Sequence, residues 1–210
     1  MQAGKEFSES VLFAGGRLCL DFINTACESR GTPLEFIGDA TALQKWLGSA
    51  QNATGIKLVG ETEVWDHAKG SQMLAQAMAL RPVLRDLMLT VFEKREVPTI
   101  ALEKLNETLR ANPSYSQIKL DGGEMIEVAV ASKPELQWLV EIANDAVDFL
   151  CHSNLTLLKQ CECDTCVRLF YDTTKNHTRR WCVEKCGSRV KAAAFYRRQR
   201  EKKMQSQTHA

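Results

Sequence analysis

Two cysteine-rich stretches near the carboxyl end decide how this chain folds: Cys161-Glu162-Cys163-Asp164-Thr165-Cys166 and Cys182-Val183-Glu184-Lys185-Cys186. Fifteen residues separate the two stretches, so two tight turns can face each other and supply two sulfurs each. Four thiolates in a tetrahedron are a ligand set that zinc prefers in structural sites. The spacing therefore predicts one structural zinc ion with no open coordination position, which argues against a catalytic metal.

Five cysteines compete for four positions around this ion. The last three are common to every arrangement, and the fourth ligand is either Cys161 or Cys163. Two residues separate Cys163 from Cys166, the commonest spacing in zinc knuckles, so spacing alone favours Cys163. His177 is a less favoured substitute because it lies in the middle of the connecting loop. The spare thiol of the 161/163 pair also suits a redox switch that ejects zinc.

Charge is divided unevenly along the chain. The formal net charge of the 210 residues is +1, but residues 151–210 carry 13 Lys and Arg against 5 Asp and Glu, a net charge of +8. The first 150 residues carry a net charge of −7. A basic tail on an acidic body suits contact with a polyanion such as nucleic acid, and it fits two solvated surfaces of opposite sign equally well.

Composition restricts the class of protein. The chain is 44% hydrophobic and 25% charged, which is ordinary for a globular protein. No run of eighteen apolar residues predicts a membrane-spanning helix, and Met1–Glu9 lacks the apolar core of a signal peptide. We therefore expect a cytoplasmic protein without a membrane partner. The reducing cytoplasm favours metal-bound over disulfide-bonded cysteines.

Hydrophobic periodicity predicts several helices before the cysteine cluster. Asp39 is the expected N-cap of a short helix. A longer helical pattern runs from about Thr62 to Glu96, where Gly70 and Pro82 predict a kink or two successive helices. Thr99 and Pro134 are expected to begin two further amphipathic helices.

The remaining patterns complete the predicted fold. Residues 116–130 contain two apolar runs around Gly122-Gly123, which predicts a β-hairpin, whereas Leu18–Thr25 fits a short strand or a helical turn equally well. We assign residues 1–155 to a predominantly α-helical α+β domain with one hairpin. Residues 156–210 are expected to form a small treble-clef or knuckle-like zinc finger followed by a basic C-terminal helix.

The carboxyl-terminal segment resembles the CGNR zinc fingers. The matching residues are Leu158-Lys159-Gln160-Cys161, Cys166, Leu169-Phe170-x-Asp172, Asn176, Arg179-Arg180-Trp181-Cys182 and Cys186-Gly187-Ser188-Arg189-x-Lys191. Near the amino terminus, Leu18–Thr25 and Trp46-Leu47 are similar to the ABATE domain that usually precedes this finger. The resemblance implies a stress-induced bacterial transcription regulator with DNA as its partner.

The resemblance also implies a ligand set. The family usually places four residues between the first two cysteines, which implies Cys161, Cys166, Cys182 and Cys186 as zinc ligands, with Cys163 as the alternative. The chain departs from the family at two points. Three residues rather than four separate the second pair, and Ser188 replaces the Asn of the Cys-Gly-Asn-Arg run. We expect a tighter second knuckle with the site retained.

The segment after the second knuckle is predicted to be a basic helix. No Pro or Gly occurs from Ser188 to about Lys203, and Ala192-Ala193-Ala194 favours helix. Basic side chains in and before it are the candidate nucleic-acid contacts: Arg179, Arg180, Arg189, Lys191, Arg197, Arg198, Arg200 and Lys203. The first two of these arginines could instead support the finger through backbone carbonyls. RNA is the alternative partner because aromatic residues are interleaved with the basic ones.

The amino-terminal domain offers one weak candidate site. Asp21 and Asn24 lie beside Thr25 and could bind a small-molecule effector or, less favourably, form a catalytic pocket. Asp and Asn at the end of an element more often form local caps. No catalytic motif accompanies them, so we assign the chain to the non-enzymes. A homodimer would suit a DNA-binding protein.

Overall fold

The computed structural model describes residues 12–29, 31–58, 65–111 and 113–208. The expectation that Met1–Glu9 is not a signal peptide therefore falls outside the described residues. The helices are α1 (Leu18–Ile23), α2 (Ala40–Thr54), α3 (His67–Phe92), α4 (Thr99–Ala111), α5 (Gln137–His152) and α6 (Glu184–Thr208). The strands are β1 (Ala26–Ser29), β2 (Thr32–Glu35), β3 (Ser114–Asp121), β4 (Glu124–Ala131), β5 (Leu158–Gln160) and β6 (Leu169–Tyr171). They form three antiparallel pairs, β1–β2, β3–β4 and β5–β6.

Capping side chains set where the helices begin. The Asp39 carboxylate accepts a hydrogen bond from the Ala42 amide at 2.8 Å, which confirms the predicted N-cap of α2. Asp66 caps α3, so this helix begins later than the predicted Thr62, whose position lies outside the described residues. Gly70 and Pro82 both lie inside one continuous helix, so the prediction of two successive helices, one of the two alternatives, is wrong. Leu80 and Leu84 are buried on either side of the proline, and their burial favours continuation of the helix.

Helix α1 lies at the centre of the main core. All six of its residues are buried, and it contacts α3, α5 and β6. A six-residue helix is unstable in isolation, so burial among its neighbours selects helix over the strand that the sequence allowed equally. Among the residues described, no helix is long and apolar enough to cross a membrane.

The predicted hairpin is confirmed as β3–β4. Leu120 pairs with Met125, and the two turn glycines, Gly122 and Gly123, have positive φ angles of 57° and 92°. This conformation is easily adopted by glycine and strained for other residues. Residues 115–127 are exposed, so most of the hairpin extends away from the core.

The sequence did not predict the two short ribbons. In β1–β2, Cys27 pairs with Leu34, and the ribbon is fixed to α3 by Arg81. The Arg81 guanidinium donates to both carboxylate oxygens of Glu35, at 2.7 and 2.5 Å. The second ribbon, β5–β6, carries the first cysteine knuckle between its strands.

A polar joint connects α1 to the second ribbon. The side-chain amide of Asn24, just after α1, donates to the Leu169 carbonyl at 2.7 Å and accepts from the Leu169 amide at 3.2 Å. On the other side of α1, the Gly15 carbonyl accepts from the Tyr171 amide at 2.7 Å. Leu158 and Leu169 also belong to the main core. The zinc-finger segment is therefore joined to the amino-terminal body by directional bonds and by apolar packing.

Replacing Asn24 by alanine should weaken this joint. Asn24→Ala leaves a buried amide and carbonyl of Leu169 without partners, which should cost roughly 2–4 kcal/mol in the free energy of unfolding. Chemical denaturation of the zinc-loaded protein measures the change. Asn106→Ala, at an exposed position of α4, is the matched control and should change stability by less than about 0.5 kcal/mol. Equal stability of both variants would contradict the role of Asn24.

Candidate metal centre

Four cysteine sulfurs meet at the end of the β5–β6 ribbon. Cys161 follows β5, Cys166 precedes β6, Cys182 lies at the end of the connecting loop, and Cys186 lies in the first turn of α6. Their sulfurs all lie within 4.8 Å of one another, and the Cys182 sulfur is 3.7 Å from those of Cys166 and Cys186. A tetrahedron with Zn–S bonds of about 2.3 Å has edges of about 3.8 Å. The sulfur positions therefore fit a zinc ion.

The structure places Cys161, not Cys163, in this cluster. The Cys163 carbonyl accepts from the Cys166 amide at 2.8 Å and so shapes the knuckle turn. Its sulfur lies 3.5 Å from the Thr165 hydroxyl and is not one of the four gathered sulfurs. The gathered set is the one that the family register implies, whereas local spacing alone favoured Cys163.

A small apolar cluster surrounds the sulfurs. Phe170 is fully buried within it, and Trp181 and Val190 pack against it. Gly187 follows the last cysteine, and a Cβ atom at that position would lie 2.8 Å from the Trp181 indole. Only glycine lets α6 begin this close to the ring. This contact explains the glycine of the Cys186-Gly187 pair.

A buried carboxylate holds the loop between the two knuckles. Asp172 is fully buried and accepts hydrogen bonds from the Lys159 ammonium at 2.6 Å, the Thr174 hydroxyl at 2.6 Å and the Arg179 amide at 2.9 Å. Burial alone would raise the pKa of Asp172, but these donors outweigh it and hold the pKa well below its usual range. The loop that leads to Cys182 is thus fixed by a charged centre.

Arg179 is half-buried, and its side chain is directed toward backbone carbonyls. Its guanidinium donates to the carbonyls of Ala14, at 2.9 Å, of Trp181, at 3.0 Å, and of Cys182. The group also lies 4.5 Å from the centre of the Phe170 ring. These contacts favour the alternative in which Arg179 supports the finger through backbone carbonyls, and they leave the guanidinium poorly placed for a phosphate.

The other candidate nucleic-acid contacts fall into two groups. Arg180 is exposed and forms an ion pair with Glu162 at 2.5 Å, while Arg189 is half-buried and donates to the Thr165 hydroxyl at 3.3 Å. The second group is exposed on α6 and consists of Lys191, Arg197, Arg198 and Arg200. Lys203 also falls on α6, but its side chain lies outside the described residues.

The two candidate ligand-binding residues are engaged internally. Asp21 is buried and accepts from the Gly15 amide at 2.7 Å, and both polar atoms of the Asn24 side chain bond Leu169. Burial raises the pKa of Asp21 to about 7. Binding an effector through either side chain would require breaking one of these bonds. The contacts therefore favour a structural role for both residues, at the two ends of α1.

Two arginines that connect the amino-terminal body to the finger had no distinguishing signal in the sequence. Arg168, which counted only as part of the basic tail, is 5% exposed, and its guanidinium lies 3.4 Å from the Cys27 sulfur. Arg85, on α3, donates to the Val167 carbonyl at 3.1 Å. Both connect the body to the first knuckle across large sequence separations, which no local pattern encodes.

The sulfur geometry predicts different outcomes for neighbouring cysteines. Cys161→Ser should abolish stoichiometric zinc binding, because it removes one corner of the tetrahedron. Cys163→Ser should retain one zinc per chain, since its sulfur lies outside the cluster. Metal content measured by mass spectrometry of the purified variants decides between them. Zinc loss in Cys163→Ser with retention in Cys161→Ser would contradict the placement.

The raised pKa of Asp21 predicts a pH-dependent stability difference. Because the folded-state pKa of about 7 exceeds the usual value of 3.8, Asp21 stabilises the fold fully below about pH 4, and this contribution is lost as the pH rises through 7. Asp21→Asn keeps an oxygen for the Gly15 amide without the charge. It should therefore gain about 1.4 kcal/mol per pH unit relative to the parent between pH 5 and 6.5. Parallel denaturant titrations with excess zinc test this, and a constant difference would contradict it.

Comparison with known families agrees with this architecture. Residues 16–153 match the profile of the ABATE family, described as "Putative stress-induced transcription regulator", and residues 158–199 match the CGNR zinc finger. A search of curated proteins gives no match. Neither matching family is an enzyme family, and the CGNR match together with the four clustered sulfurs shows one structural zinc. Because the first match spans more than half of the chain, the protein belongs to the ABATE family and carries a CGNR zinc finger at its carboxyl end.

Proposed function

We propose that the protein is a cytoplasmic, DNA-binding transcription regulator of the stress response that contacts DNA through its zinc finger and α6. In this proposal the zinc is held by Cys161, Cys166, Cys182 and Cys186. The carrying observation is that α6 begins at the metal centre and then leaves it with exposed basic side chains. A helix of 25 residues is about 37 Å long, and a helix fits the major groove, which is about 12 Å wide.

The charges on α6 support this proposal. In the part of the chain that the structure describes, no ion pair involves Arg197, Arg198 or Arg200. They are available to neutralise phosphates, whereas Arg179 already bonds three carbonyls. We therefore centre the proposed contact surface on Lys191 and these three arginines, with Lys203 beyond them and with Arg180 and Arg189 at its edge.

The amino-terminal body is proposed to sense a signal or to mediate association. The small-molecule effector remains a prediction. For association, the exposed hairpin offers apolar side chains, because Ile118, Leu120 and Met125 are each at least 75% exposed. A homodimer would present two copies of α6 to one duplex.

RNA is the second candidate partner, and one observation favours it. Phe195 and Tyr196 are 51% and 72% exposed on α6 among its basic residues. Exposed aromatic rings beside arginines suit stacking on unpaired bases. Fluorescence polarisation at fixed salt should compare duplex DNA with structured RNA of equal length. Tighter binding to RNA without any sequence preference on DNA would replace the DNA proposal.

Removing the α6 charges should weaken DNA binding in a salt-dependent way. The triple variant Arg197→Gln, Arg198→Gln, Arg200→Gln should lower duplex affinity on the order of 10²-fold at 0.1 M salt, if each arginine neutralises one phosphate. The slope of log K against log salt should become shallower by about 2.7. Polarisation titrations over a salt series, on a duplex selected from a random library, provide both values.

A control must carry the same change in net charge. The control is a triple variant that removes three positive charges at exposed positions of the body: Lys57→Gln, Lys104→Gln, Lys119→Gln. This control should keep the parental affinity and salt slope. Equal losses in the two triple variants would mean that only net charge matters, and the proposed surface on α6 would be wrong.

A further inference from the structure

A cysteine outside the finger lies where the body meets the metal centre. Cys27, on β1, is 9% exposed, and the Arg168 guanidinium donates to its sulfur at 3.4 Å. Arg85 lies on the same side, within hydrogen-bond distance of the carbonyls of Ala26 and Val167. A thiol beside a buried guanidinium is in the kind of electropositive setting that favours reactive cysteines.

Cys27 borders two cavities. An open cavity of about 360 Å³ is lined by Cys27, Pro33, Arg85 and Val167, among others. A smaller one of about 50 Å³ is lined by Cys27 together with Arg168 and two cysteines of the metal centre, Cys166 and Cys186. A cavity needs about 10–15 Å³ to hold one water, so the smaller cavity admits a few molecules of that size. Hydrogen peroxide belongs to this size class. Cys27 thus borders both a cavity that is open to solvent and the cavity that two cysteines of the metal centre line.

The other cysteines outside the sulfur cluster lack this setting. Cys19 is fully buried, and burial raises the pKa of its thiol well above the usual value. Cys163 is 3% exposed and faces the Thr165 hydroxyl. Cys151 is exposed on α5, away from the two cavities that Cys27 borders. Only Cys27 combines access, a guanidinium contact and zinc-site cysteines across a cavity.

We propose that Cys27 is a peroxide-sensitive thiol whose oxidation opens the zinc centre. In the first step the Cys27 sulfur attacks hydrogen peroxide: an S–O bond forms, the O–O bond breaks, and the departing hydroxide takes the thiol proton to become water. The product is a sulfenic acid at Cys27. The Arg168 guanidinium, 3.4 Å from the Cys27 sulfur, stabilises the negative charge that develops as the O–O bond breaks.

Cys166 completes the reaction. It is the most exposed of the four clustered cysteines and lines the same small cavity. Its sulfur attacks the Cys27 sulfenic acid, an S–S bond forms, the S–O bond breaks, and hydroxide leaves and takes up a proton. The two thiols lose two electrons, and one peroxide becomes two waters. Zinc is left with three sulfurs and is released, and a dithiol reductant reverses the disulfide.

Zinc release frees the start of α6 from the knuckle. Any resulting change in DNA binding rests on the proposed function. The chemistry itself does not depend on DNA. Zinc release and disulfide mapping therefore test the thiol separately from the DNA proposal, and a failure of one leaves the other standing.

The first experiment measures zinc release by hydrogen peroxide with a chromogenic chelator. Cys27→Ala should slow release at least about tenfold, because the reactive thiol beside the guanidinium is gone. Cys151→Ala, an exposed cysteine on α5, should release zinc at the parental rate. Both variants are first checked for one zinc per chain. Equal rates in Cys27→Ala and the parent would overturn the proposal.

The second experiment uses the unaltered chain, so it remains decisive if Cys27→Ala fails to fold. The zinc-loaded protein is treated with one equivalent of hydrogen peroxide, remaining thiols are alkylated, and peptides are mapped by mass spectrometry. A Cys27–Cys166 disulfide that forms together with zinc release supports the proposal. A first disulfide between two of the clustered cysteines, or first oxidation at Cys163, would overturn it.

Discussion

The sulfur tetrahedron is the constraint on which the carboxyl-terminal quarter of the chain depends. It joins the knuckle between β5 and β6, the end of the connecting loop and the first turn of α6. Apart from the cysteines, Phe170 is the only fully buried hydrophobic residue of the cluster around it in the part of the chain described. So small a core cannot offset the entropy of ordering about fifty residues, whereas zinc binding contributes on the order of 10 kcal/mol in such modules. The direction in which α6 leaves the protein is therefore set by the metal.

Arginines divide into those that fix the finger and those that face solvent. Arg85, Arg168 and Arg179 are directed inward to carbonyls or to a sulfur. Each contact crosses between the amino-terminal body and the finger, and guanidinium hydrogen bonds are directional. Such bonds specify an orientation more sharply than apolar packing does. On α6, Arg189 donates to the Thr165 hydroxyl, whereas no ion pair involves Arg197, Arg198 or Arg200 in the described part of the chain, which leaves the charge of these three for a partner.

Local sequence signals predicted those elements whose conformation depends on residues close to them in the sequence. The cap at Asp39 and the turn at Gly122-Gly123 depend on neighbours within a few residues, and both were predictable. The choice of Cys161 depends on which sulfur the folded knuckle turns toward the loop, and spacing alone favoured the other cysteine. The role of Arg179 depends on Ala14, a contact 165 residues away along the chain. The helical state of α1 likewise follows from burial that its own six residues do not encode.

The place of α1 explains how a body and a finger can act as one unit. Both attachments to β6 lie just beyond its two ends, at Gly15 and Asn24, while its side chains fill the main core. The helix cannot shift within the core without pulling on β6, and β6 directly follows the first knuckle. Packed cores move between discrete arrangements rather than deforming continuously. The contacts that hold α1 thus also connect the body, through β6 and the knuckle before it, to the metal centre at the start of α6.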